Sequence, residues 1–131
     1  MKYKNNPLNI RYDKANLWIG QIEPLNGFCQ FDDLYYGFRA ALKIFLMYRK
    51  RGIKSVSDII SQWAPIQEND SVSYYRFVSK YMNVTPSFIV PCERAWVSKL
   101  FCAMFRIEQG VSISSSEKMV LDSVLINLLP K

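Results

Sequence analysis

The sequence predicts a mainly helical α+β domain: about five helices preceded by a small N-terminal β-hairpin, with residues 1–131 forming a single domain. Three observations carry this expectation. The length, 131 residues, is that of one domain. Half of the residues are hydrophobic, with 8 Phe, 8 Tyr and 3 Trp, and a chain of this size buries roughly two-thirds of its extended surface without needing staples. Finally, five stretches each combine apolar helical spacing with start or stop signals, and one Asn-Gly pair sits between two short apolar runs.

The Asn26-Gly27 pair is a tight-turn signal between "WIGQI" and "FCQF" and predicts the hairpin. Asp32 or Asp33 is placed to cap a helix through "LYYGFRAALKIFLMYRKR", which ends at Gly52 with basic residues in its last turn. "SVSDIISQW" opens on Ser55 with Asp58 three residues on, an acidic variant of capping-box spacing, and stops at Pro65. Asn69 or Asp70 caps a third helix, "SVSYYRFVSKYM". The fourth, "CERAWVSKLFCAMFRIEQG", is apolar at nearly every position from Ala95 to Ile107. Such a helix is a central, buried one. The fifth, "SSSEKMVLDSVLINLL", has Ser114 and Glu117 at capping-box spacing.

Composition bounds the chemistry. The formal charge is +6, with no histidine, so Ser-His and Cys-His nucleophiles and histidine metal sites are excluded, and neither metal nor cofactor is implied. Cys29, Cys92 and Cys102 are odd in number and irregularly spaced, which is not a disulfide framework. Clustered cations such as Arg49, Lys50 and Arg51 fit a polyanionic partner (nucleic acid, an anionic membrane or the acidic cell wall) or a merely solvated face. No signal-peptide h-region and no run of about 18 apolar residues stands out. The expectation is therefore synthesis in the cytoplasm without a membrane span, and delivery to any outside site by a route other than ordinary secretion.

One carboxylate is singled out by position. Glu108 lies in the last turn of the apolar fourth helix, just before the stop at Gly110. Desolvation and the negative helix end both disfavour its ionised form. A carboxyl group held protonated near neutral pH is what a general acid requires, as in glycoside cleavage. The plain alternative is a solvated helix-end residue paired with an arginine.

Several blocks resemble a family of small phage and prophage proteins labelled as virion or structural proteins. They are Asn5-Asn6-Pro7-Leu8-Asn9-Ile10-Arg11, Trp18-Ile19-Gly20, "GFCQF", Tyr36-Gly37-Phe38-Arg39-Ala40, Trp63-Ala64-Pro65 through Glu68-Asn69-Asp70, and Arg106-Ile107-Glu108-Gln109-Gly110. Two positions depart from the pattern: Leu8 stands where it has glycine, and Ile107 where it has histidine. The same blocks are similar to lysozyme-like and N-acetylglucosaminidase cell-wall hydrolases, in an order that suggests circular permutation. The resemblance implies a lysozyme-like fold that cleaves peptidoglycan glycan strands, as a muramidase, glucosaminidase or lytic transglycosylase. Glu108 is then the catalytic residue. Asn5, Asn6 and Asn9 supply amide contacts to sugar or to backbone, and Trp18, Trp63, Glu68, Tyr74 and Tyr75 bind substrate. A second carboxylate stays open among Asp13, Glu23, Asp32, Glu68 and Asp70. Expected partners are peptidoglycan strands and virion or secretion-apparatus components. Two other functions remain beside this one: a non-catalytic virion or wall-binding protein, and a basic helical nucleic-acid-binding domain. The last is disfavoured because "YRKRGIK" reads as a helix end and no helix-turn-helix stands out.

Overall fold

The computed structural model describes residues 1–65 and 70–130. Two strands, β1 (Gln21–Leu25) and β2 (Phe28–Phe31), are followed by five helices: α1 (Leu34–Lys50), α2 (Val56–Trp63), α3 (Ser71–Met82), α4 (Arg94–Gln109) and α5 (Ser115–Leu128). The mainly helical α+β architecture with its N-terminal hairpin is as the sequence predicts.

Local chemistry explains the element ends. Asn26 and Gly27 both take positive φ, 51° and 82°, the backbone that a two-residue hairpin turn needs. The strands pair antiparallel, and the register slips between Ile22 and Leu25, where Pro24 has no N–H to offer the ladder. Asp33 caps α1 by accepting from the Tyr35 N–H, Ser55 caps α2 by accepting from Asp58, and Asp70 caps α3 by accepting from Ser73. Ser114 and Glu117 form the full reciprocal capping box of α5. Among the described residues, α4 alone starts without a side-chain cap, at Glu93.

Packing around α4 holds the helices together. Its residues Leu100 to Phe105 are all buried, and it lies between α3 and α5. Phe101 meets Phe45 of α1 edge-on, with ring centroids 6.3 Å apart. The α2 helix packs on α3, and α1 packs on α5 and β2.

The segment ahead of the hairpin is not a linker. Tyr3, Asn6, Leu8 and Ile10 are buried in it. Asn5 and Asn9 adopt left-handed backbone, φ 54° and 52°, a conformation asparagine tolerates better than most residues. Leu8, in place of the glycine, takes no positive φ and is fully buried. The fully buried Asn6 binds backbone at both ends of its amide. Its Nδ2 donates to the carbonyls of Ile10 and Cys29, at 3.0 and 2.8 Å, and its Oδ1 accepts from the Ile10 N–H at 2.8 Å. This side chain thus replaces missing ladder bonds between the segment and β2. The segment lies on α1 at Gly37, where a Cβ would stand 2.0 Å from the Asn5 carbonyl oxygen.

Candidate functional site

The site forms where the N-terminal segment meets the end of α4. Glu108 reaches the surface in the last turn of that helix, and Gly110, at φ 76°, ends the turn. Asn9 donates from Nδ2 to the Glu108 carboxylate Oε1 at 2.9 Å and to the Glu108 carbonyl at 3.2 Å. Because one amide nitrogen serves both acceptors, its orientation is set by the helix end. The Tyr74 hydroxyl donates to the other carboxylate oxygen at 2.8 Å. Next along α4, Gln109 fastens the segment by donating to the carbonyls of Pro7 and Asn6. From α2, the Trp63 indole donates to the Leu8 carbonyl at 2.9 Å.

Glu108 faces a concavity of about 330 Å³ whose walls include Asn9, Arg11, Phe28 and Trp63. A second hollow, of about 280 Å³, shares Asn9, Arg11 and Trp63 with the first and reaches Asp13 and Arg51. Together they make a trough that passes Trp63. Aromatic and cationic groups form one wall: Tyr3 stacks on Phe28 with centroids 4.3 Å apart, and the Arg11 guanidinium lies over the same Phe28 ring at 4.7 Å.

Burial pushes the Glu108 carboxyl above its ordinary 4.5. The hydrogen bonds from Asn9 and Tyr74 and the charge of Arg11 hold it back in part. Burial and the adjacent carboxylate both push the Tyr74 phenol well above its ordinary value, so Tyr74 remains a donor. The arrangement offers one oriented carboxyl group that can give up and take back a proton beside a polar and aromatic trough.

The site residues expected from the sequence separate in the fold. Glu108, Asn9 and Trp63 meet at the trough. Tyr74 is 4 % exposed and supports Glu108 from behind instead of lining the surface. Tyr75, its neighbour on α3, packs against the core, outside the hollows that hold Glu108; a helix turns consecutive residues about 100° apart, so the two could not share a role. Asn5 donates to the Phe31 carbonyl at 3.0 Å. With Asn6 it holds the segment's own backbone, because full burial leaves the Asn6 amide nothing else to meet. Trp18 lines two hollows other than the trough. Glu68 lies outside the described residues. The trough also holds residues that the sequence reading did not assign to the site, among them Lys2, Tyr3, Arg11, Phe28 and Arg51. The alternation of buried Ile10 with exposed Arg11 was the available signal.

Tyr74→Phe removes a hydrogen bond that favours the Glu108 carboxylate. The expected result is a further rise of the Glu108 pKa, followed by carboxyl infrared titration, with the alkaline limb of any Glu108-dependent activity moving to higher pH. An unchanged titration would mean that the Tyr74 contact does not hold in solution.

Among the described residues, no helix is long and apolar enough to cross a membrane. No family model matches the sequence. Over 82 residues the chain is 38 % identical to protein P5 of Pseudoalteromonas phage PM2, an alignment covering 57 % of this chain and 50 % of that protein. The chain is thus similar to a phage protein and spans half the length of the curated relative it matches.

Proposed function

We propose that this protein cleaves the β-1,4 glycan strands of peptidoglycan, with Glu108 as the acid and then the base of the reaction. The observation that carries this reading is the Glu108 carboxyl itself: desolvated at the end of a buried helix, held on each oxygen by a neutral donor, and open to a trough with an aromatic wall. The similarity to a phage protein fits a virion-associated role. A lysozyme-like arrangement with permuted block order goes with this reading.

Protonated Glu108 transfers its proton to the glycosidic oxygen as the bond from that oxygen to the anomeric carbon breaks. An oxygen nucleophile then bonds to the anomeric carbon and gives its proton to Glu108, restoring the acid. With the sugar's own 6-hydroxyl as nucleophile, one carboxyl group suffices. With water, a second carboxylate is needed, and our candidate is Asp13, which lines the adjoining hollow. Arg11 draws acidic wall polymer to the trough.

Purified peptidoglycan treated with the protein tests the reading. Soluble fragments ending in 1,6-anhydro sugars indicate the intramolecular route, and reducing ends indicate hydrolysis. Protein that binds walls from several bacterial types but releases nothing is instead a wall-binding structural component. Retention of DNA at physiological salt, without wall binding, transfers the assignment to nucleic acid.

A further inference from the structure

We infer that the ridge at Leu17–Ile19, backed by the cations of α1, seats the protein on an anionic lipid bilayer. Leu17 is 84 % exposed and Ile19 55 % exposed, and they flank Trp18. This exposure is held in place. The Trp18 N–H donates to the Gln21 side chain at 3.2 Å. Gly20, at φ 79°, lies so close on the Tyr36 ring of α1 that a Cβ there would come within 2.3 Å of it. Apolar side chains fixed outward on a rigid turn are costly to leave in water and mark a contact surface.

The shape of the surface selects the partner. Leu17 and Trp18 line a hollow of about 570 Å³ on one side and another of about 410 Å³ on the other, so the turn between them is a convex ridge. The larger hollow is lined by Arg39, Lys43 and Lys50, and by Arg49, whose guanidinium donates to the Val90 carbonyl at 2.6 Å; among the described residues none lining it is acidic. An apolar crest set before a row of cations matches the layering of an anionic bilayer: acyl chains receive Leu17 and Ile19, the interface receives the indole, and lipid phosphates receive the cations. The glycan wall offers anionic groups but no apolar phase, so it leaves the crest unexplained. The inference is independent of glycan cleavage. Met47 lines both this hollow and the trough beyond Trp63, so a seated protein would hold its trough close to the lipid surface.

The test is flotation of the full chain with vesicles of phosphatidylcholine alone or mixed with phosphatidylglycerol. Binding is expected only to the anionic vesicles and should weaken with salt. Leu17→Asp and Ile19→Asp should each lower affinity by about tenfold or more, the effect of withdrawing one aliphatic side chain from the lipid. Lys43→Glu should lower it severalfold. Leu17 is too exposed for its replacement to disturb folding, and unchanged near-ultraviolet dichroism confirms this. Three results overturn the inference. Wild-type protein that stays with the aqueous phase has no lipid partner; Leu17→Asp binding as wild type would be charge adsorption without a crest; and a dimer dispersed by Leu17→Asp, with no vesicle binding, would make the ridge a contact between copies.

Discussion

Glu108→Gln is expected to lower glycan release by about 10²–10⁴-fold, the usual contribution of a positioned acid, while leaving the fold and wall binding intact. Glutamine keeps the size of the side chain, still accepts from Asn9, and faces the Tyr74 oxygen with its own N–H. What it lacks is the transferable proton. Stability should move the other way. The folded pKa of Glu108 is raised, so the folded protein binds this proton more tightly than the unfolded chain does. Stability from this residue is therefore full below its ordinary value of 4.5 and is lost as pH rises through the folded value. Glutamine never ionises, so the variant should melt at or above the wild-type temperature at pH 7, with the gap closing toward pH 4. Two further variants assign the remaining carboxylates. Asp13→Asn should suppress release of reducing ends and spare 1,6-anhydro products. Glu68→Gln should be close to wild type, and a loss of activity there that Glu108→Gln does not share would make Glu68 the acid.

The largest structural effect is expected at Gly37. Helix propensity alone says that Gly37→Ala, near the start of α1, stabilises, by up to about 1 kcal/mol. Contact says the reverse: the new methyl would stand 2.0 Å from the Asn5 carbonyl oxygen and 2.8 Å from the Pro7 ring. Neither neighbour yields easily. Pro7 is buried, and the segment is fastened by Asn6, Trp63 and Gln109. A 2.0 Å approach to a backbone oxygen is at the severe end of overpacking, about 3 kcal/mol, against the gain of about 1 kcal/mol from propensity. The net expectation is destabilisation by about 2 kcal/mol, or a melting temperature lower by roughly 8 °C, read by calorimetry. Lifting the segment also draws Asn9 from Glu108, so glycan release should fall together with stability. The comparison variant is Gly27→Ala, where open space surrounds the Cβ and only the positive φ of 82° is strained. It should cost about 1 kcal/mol and spare activity. A Gly37→Ala protein more stable than wild type would mean that the segment does not lie on α1.

What the sequence determined by itself is what short-range chemistry controls. The hairpin followed from Asn26-Gly27, whose φ preferences suit one turn. The starts of α2 and α5 followed from Ser55 and Ser114, and those of α1 and α3 to within one residue, from Asp32 or Asp33 and Asn69 or Asp70, because a cap bond spans only two or three residues; the structure chose Asp33 and Asp70, and Asn69 lies outside the described residues. The burial of α4 over Leu100–Phe105 followed from its apolar run, whose ends Ala95 and Ile107 are exposed, and the place of Glu108 from its distance to Gly110. The tertiary structure decided everything that depends on residues far apart in the chain. Asn9 meets Glu108 across 99 residues and Tyr74 meets it across 34. No periodicity distinguishes Tyr74 from Tyr75, or the buried Asn6 from an asparagine offered to a sugar. Gly37 looks like a weak point in a helix until the Asn5 carbonyl is seen resting on it. Trp18 reads as part of the same motif as Asn9, yet the turn at Gly20 carries it to a different face. In each case the deciding term is a steric or hydrogen-bond contact formed only once helices and segment have packed, and local propensity has no access to it.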